Sequence, residues 1–210
     1  MVDCIIKICG INSPAIAKMA AIAGANYIGL VFHPDSPRYI HPADAREISR
    51  AAREHGATPV AIFVNHHADA MQNICKIAEI NTVQLHGDNS RREHHLLPDD
   101  YQRIMVQSIN ENGELQNDIE LNSLFPERDF ILIDHCNPGS GKTFSWKDFK
   151  YDLSFPWLLA GGLTNSNVKN AINLLQPNGV DVSSGVEMER GKKDMELIKK
   201  FINTVRERQS

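Results

Sequence analysis

Eight short apolar runs recur along the chain, and their spacing restricts the folds open to it more than any other feature. They are Cys4–Cys9 (CIIKIC), Tyr27–Phe32 (YIGLVF), Pro59–Val64 (PVAIFV), Thr82–Leu85 (TVQL), Arg103–Val106 (RIMV), Phe130–Asp134 (FILID), Pro156–Ala160 (PWLLA) and Gly179–Ser183 (GVDVS). Most are rich in Val and Ile without strict polar alternation, as parallel strands covered by helices should be. Helical signals lie between them. Ser13-Pro14 offers a cap and a first-turn proline, and Gly24 suits the stop. Pro42 to His55 reads as a helix ended by Gly56, Thr164–Leu175 opens in cap-forming residues, and Asp194–Arg206 is amphipathic. The stretch 110–127 is polar, with only Leu115, Ile119, Leu121 and Leu124 at helix-like spacing, so its element is the least defined. Strand and helix alternating in this way predict an α/β chain, a single-domain (β/α)8 TIM barrel over residues 1–210. A doubly wound open sheet is the main alternative, but no GxGxxG follows the first run, where a dinucleotide-binding sheet carries it.

Composition narrows the partners. A net charge of −4 argues against nucleic acid, which calls for a basic stripe. No stretch approaches the ~18 consecutive apolar residues of a membrane span. Four scattered cysteines, with no CxxC, support neither zinc nor a disulfide framework. The apolar run directly after Met1-Val2-Asp3 leaves no room for a signal peptide. A cytoplasmic protein with reduced thiols is the expectation. The nine histidines do not imply a metal: His66-His67 and His94-His95 are adjacent pairs, and no HExxH spacing occurs.

In such a barrel, chemistry gathers at the C-terminal strand ends and the loops beyond them. Cys9-Gly10 closes the first run, Arg38 follows the second, and His86-Gly87 closes the fourth. Asp134 closes the sixth, Gly161-Gly162 the seventh, and Ser183-Ser184-Gly185 follows the eighth. Glycine turns after strands seven and eight let backbone N–H groups approach a phosphate, so Gly161, Gly162, Ser184 and Gly185 are the candidate phosphate cradle; tight turns without a ligand are the plain alternative. The loop Pro138–Thr143 (PGSGKT) looks like half a P-loop, but Cys136 stands where a Walker A glycine is needed. A lid whose Lys142 reaches a substrate anion fits better.

Strand parity places Lys7 with Cys9, Leu132 with Asp134, and Asp181 with Ser183 on inward faces. An inward lysine needs a partner, and Asp181 is available. A nearby cation would draw Cys9 towards thiolate, a base, while a desolvated Asp134 would stay protonated as an acid. Core packing for Cys9 and helix capping for Asp134 are the alternatives.

These motifs together resemble those of the phosphoribosylanthranilate isomerase family. The matching stretches are KICGI (Lys7–Ile11), GLVFHPDSPRYI (Gly29–Ile40), VAIFVN (Val60–Asn65), VQLHG (Val83–Gly87), ILID (Ile131–Asp134), GSGKTFSW (Gly139–Trp146), LAGGL around Ala160, and GVDVSSGVE (Gly179–Glu187). They stand in the family's order across nearly the whole chain; the stretch 105–127 is the least typical. The resemblance implies an Amadori rearrangement in tryptophan biosynthesis, with Cys9 as general base and Asp134 as general acid. It also implies Arg38 on the anthranilate carboxylate and Asp181 orienting the substrate; His86, by its place at a strand end of the catalytic face, and Lys142 of the lid are further candidate contacts. Proton transfer alone suffices for such a reaction, so no cofactor is implied. A small phosphorylated substrate is the expected partner, and a monomer or weak homodimer the expected assembly. A related barrel on another sugar phosphate, or a non-catalytic phosphate binder, are the rival readings.

Overall fold

The computed structural model describes residues 4–147, 149–152 and 154–207. The ends of the predicted domain, 1–3 and 208–210, lie outside the described residues. Eight parallel strands close into a barrel in chain order: β1 (Ile5–Cys9), β2 (Tyr27–Val31), β3 (Thr58–Phe63), β4 (Thr82–Leu85), β5 (Gln102–Ile109), β6 (Phe130–His135), β7 (Trp157–Leu159) and β8 (Gly179–Val182). β8 returns beside β1 with Asp181 opposite Lys7. All eight predicted runs are strands, with ends shifted by a residue or two; β5 extends farther, to Ile109.

Side chains leave a strand on alternate faces, and here the alternation separates two apolar bodies. Ile6, Ile8, Ile28, Leu30, Ala61 and Phe63 point outward into the shell shared with the helices. Val60, Ile104, Val106, Leu132, Leu158 and Ala160 point inward and fill the barrel. The runs therefore look apolar on both faces because both faces are buried.

The helices are α1 (Pro14–Ile22), α2 (Pro42–Arg53), α3 (Ala68–Ala78), α4 (Asp88–Arg92), α5 (Val168–Leu175) and α6 (Met195–Arg206). Asp194 caps α6 by accepting from the N–H groups of Glu196 (2.8 Å) and Leu197 (3.0 Å). Ile198, Phe201, Ile202 and Val205 then fall at i, i+3, i+4 and i+7 on its buried face. α5 begins four residues later than the predicted Thr164. Asn167 explains this, because its side chain accepts from Thr164 N–H (2.8 Å) and donates to the Gly162 carbonyl (2.9 Å). Such local bonds compete with a helical turn.

Among the described residues, no helix occupies the β5–β6 or β6–β7 crossover, so the eightfold alternation is incomplete. The polar side chains of the first crossover bond locally instead. Asn110 Oδ1 accepts from the N–H groups of Asn112 and Glu114, each at 3.0 Å, and Asn117 Oδ1 from Ser108 N–H on β5 at 2.6 Å. After β8 the chain makes a single 3-10 turn at Ser184–Val186. A small hairpin of β9 (Glu187–Glu189) and β10 (Lys192–Lys193) follows.

Candidate active site

The C-terminal strand ends surround a cavity of about 330 Å³. Cys9, Arg38, His86, Asp134, Gly161, Gly162, Asp181 and Ser184 all line it. Eight of the ten predicted site residues thus come together from six strand ends and the loops that follow them. Two do not. The Lys142 ammonium lies exposed, 2.9 Å from Glu111 Oε1, and its side chain is directed to that partner rather than the cavity. Gly185 stands behind the lining, its Cα packed so closely on the Leu163 carbonyl that a Cβ would collide with it.

Lys7 is fully buried, and its Nζ donates to Asp181 Oδ1 at 2.8 Å. Burial alone would strip its charge; Asp181 and then Cys9 reverse this and raise its pKa. The pair places a charged but compensated group directly beneath the reacting face.

Asp134 accepts from the His135 N–H at 2.8 Å and lies 4.0 Å from His86 Nε2. Burial, and secondarily the Asp181 carboxylate, raise its pKa to about 7. Burial also lowers His86 to about 4, with Arg91, Lys7 and His33 adding to the effect. His86 is therefore a neutral imidazole beside a carboxyl poised to give up a proton near neutrality.

Cys9 corrects one expectation. Lys7, Lys193 and Arg38 do pull its pKa down, but burial outweighs them and the net shift is upward. The thiol is the resting form. Ser183 Oγ donates to the Cys9 carbonyl at 3.2 Å, tying the end of β1 to the β8 loop.

Arg38 is 7% exposed, so its guanidinium is buried within the site rather than carried on the surface. Its Nε and Nη2 donate to the two oxygens of Glu187 at 2.7 and 2.9 Å. Lys193 Nζ shares that carboxylate at 2.6 Å and also donates to the Ser183 carbonyl at 2.9 Å. Sequence reasoning missed Glu187 and Lys193 as site residues. It missed Gln84 too, an inward β4 side chain that lines the cavity 3% exposed, with its Oε1 unpartnered in the structure. Parity could have found Gln84, which lies two residues before His86.

Gly161 and Gly162 have φ of 86° and 65°, a left-handed pair in the wall of the cavity that Ser184 also lines. Among the described residues, no group of three or more His, Cys, Asp or Glu is placed to hold a metal ion. No described helix is long and apolar enough to cross a membrane.

Comparison with known proteins agrees with this geometry. The sequence matches the N-(5'-phosphoribosyl)anthranilate (PRA) isomerase family over residues 6–204. It is 39% identical to N-(5'-phosphoribosyl)anthranilate isomerase 1, chloroplastic, of Arabidopsis thaliana, over 96% of this chain and 74% of that one. In structure it is similar to the phosphoribosyl anthranilate isomerase of Thermotoga maritima, with a TM-score of 0.78 and 34% identity across 97% of this chain and 99% of that one. It is also similar to a phosphoribosyl anthranilate isomerase solved with reduced 1-(o-carboxyphenylamino)-1-deoxyribulose 5-phosphate; the TM-score is 0.77 and the identity 31%, over 97% and 99% of the two chains. With barrel, cavity and matched span in agreement, the chain belongs to the N-(5'-phosphoribosyl)anthranilate isomerase family, enzymes of an aldose–ketose (Amadori) isomerisation in tryptophan biosynthesis.

Proposed function

We propose that Asp134 and Cys9 are the acid and base of this isomerisation, acting on N-(5-phospho-β-D-ribosyl)anthranilate. Asp134 gives its proton to the furanose ring oxygen, the C1–O bond breaks, and the anilino nitrogen's lone pair forms the C1=N bond of a Schiff base. Cys9, as thiolate, removes the C2 proton, and the electrons of that C–H bond move into C1–C2 as the iminium is neutralised to an enolamine. Tautomerisation of the enolamine gives 1-(2-carboxyphenylamino)-1-deoxy-D-ribulose 5-phosphate. Ring opening and C2 deprotonation are both driven by proton transfer with a positioned side chain.

The observation that carries this reading is a carboxyl held near pKa 7 in the same cavity as a cysteine attended by three cations. The remaining roles follow from position. Arg38 takes the anthranilate carboxylate, since a guanidinium can hold it through two parallel hydrogen bonds. Asp181, already fixed by Lys7, orients the amine or a sugar hydroxyl, and neutral His86 offers a further hydrogen bond. The phosphate rests on backbone N–H groups of Gly162 and Ser184, beside Gly161, with Gly185 supporting the turn from behind rather than donating to it. Lys142, turned to Glu111, receives no contact in this assignment. Every group named belongs to one chain, so the reading requires no second copy and suits a monomer or weak homodimer in the cytoplasm.

Mixing the purified protein with phosphoribosylanthranilate, without added metal, and following anthranilate-type fluorescence tests it. A rapid change is expected; a trace no faster than spontaneous decay of the substrate would sink the assignment.

A further inference from the structure

The guanidinium of Arg38 has two edges that can each chelate a carboxylate. Nε and one Nη2 hydrogen form the first; the second Nη2 hydrogen and Nη1 form the other. Glu187 occupies the first edge, with both its oxygens engaged. Its carboxylate also holds the buried Lys193 and accepts from Gly191 N–H at 3.2 Å. Two cations thus share one anion, which leaves this cluster able to accept a second carboxylate.

The backbone around it is built close. A Cβ on Gly10 would lie 2.5 Å from Arg38 Cδ, and one on Gly139 would lie 2.8 Å from Nη1. A Cβ on Gly191, in the β9–β10 hairpin, would lie 2.5 Å from the Pro37 carbonyl. Three glycines from three loops therefore allow the chain to press on the arginine and its loop, so its aim is set by contacts on several sides.

We infer that Glu187 is a positioning residue for substrate recognition: by gripping one edge of Arg38 it presents the other to the carboxylate of the arylamine. This rests on the isomerase reading above and deepens it, because it makes the β9–β10 hairpin part of the selection for an ortho-carboxylated ring. Glu187 touches no reacting atom and acts through Arg38.

The test compares two substrates, phosphoribosylanthranilate and its aniline counterpart without the carboxylate, in wild type, Glu187→Gln and Glu187→Asp. Preference for the carboxylated substrate, taken as the ratio of kcat/KM values, should fall about tenfold or more in Glu187→Gln, mainly through KM. Glu187→Asp keeps the charge balance and guards against a variant that fails to fold; it should show a smaller loss of the same kind. In an Arg38→Met background, Glu187→Gln should add little further loss of preference. Equal losses on both substrates, or additive losses in the double variant, would overturn the inference while leaving the isomerase reading in place. A wild type inactive on the carboxylated substrate would remove both.

Discussion

Lys7 and Asp181 face each other across the seam that closes the barrel, directly opposite in the β1–β8 register and joined by a hydrogen bond of 2.8 Å. Neither is solvated to any extent: Lys7 is 0% and Asp181 7% exposed. Removing one member leaves the other's charge buried without compensation. Lys7→Met should therefore lose about 3–5 kcal/mol of stability in urea denaturation. Lys7→Met with Asp181→Leu should recover much of that. A double variant as unstable as the sum of the singles would show that the two residues do not act as a pair.

The acid and base have their pKa values in reverse order, Asp134 at about 7 and Cys9 above its ordinary value of 9.0. The productive state, acid protonated and thiol ionised, is then a minor one at every pH. Below pH 7 the acid is in place and the thiolate fraction grows with pH. Above 7, loss of the acid offsets gain of the base, and above the thiol pKa the activity falls. The profile of kcat/KM should rise to about pH 7, stay level, and fall beyond pH 9. In Asp134→Asn the rise should continue past pH 7; a break that persists at 7 belongs to another group.

Asp134 also trades stability for chemistry. Its pKa is raised on folding, from 3.8 to about 7, so between those values the folded chain keeps a proton that the unfolded chain has released. Stability contributed by that proton is present at low pH and is lost as pH rises through the window. Asparagine has no such loss. The Tm of Asp134→Asn relative to wild type should grow between pH 4 and pH 8. At the same time its kcat, like that of Cys9→Ala, should fall about 10²–10⁴-fold. A loss below tenfold in either would take that residue out of the reaction.

Gly185 supports the phosphate turn from behind, against the Leu163 carbonyl. Gly185→Ala must push the β7 and β8 loops apart. We expect KM to rise and inorganic phosphate to weaken as a competitive inhibitor, with kcat less affected. Unaltered inhibition by phosphate would place the phosphate elsewhere.

The barrel was legible because its strands carry their own signal: buried on both faces, they stay apolar whatever lies between them. Cys9, Asp134 and Asp181 were legible through parity, which needs only the strand assignment. What escaped was set by distance along the chain. Glu187 reads as the end of a motif until Arg38, 149 residues earlier, is seen on its carboxylate. Lys142 failed for the opposite reason; a lysine in a glycine loop suggests an anion, and nothing local reveals that Glu111 is nearer. The direction of the Cys9 shift was a contest between burial and three cations, and only packing decides which is larger.

The two crossovers that carry no helix among the described residues leave one sector of the barrel without helical cover there, and this has a consequence for how the molecule opens. Amide hydrogens in the 110–127 crossover should exchange first, ahead of those under α1, α2 and α6. A protease used sparingly should cut there, at exposed residues such as Leu115, Leu121 or Phe125. The two pieces would still share the ladder from Ile104 opposite Phe130 to Ile109 opposite His135, together with the β8–β1 seam. A nicked barrel of this kind should remain assembled on a sizing column and separate only in denaturant, dividing Cys9 and Asp134 between two chains.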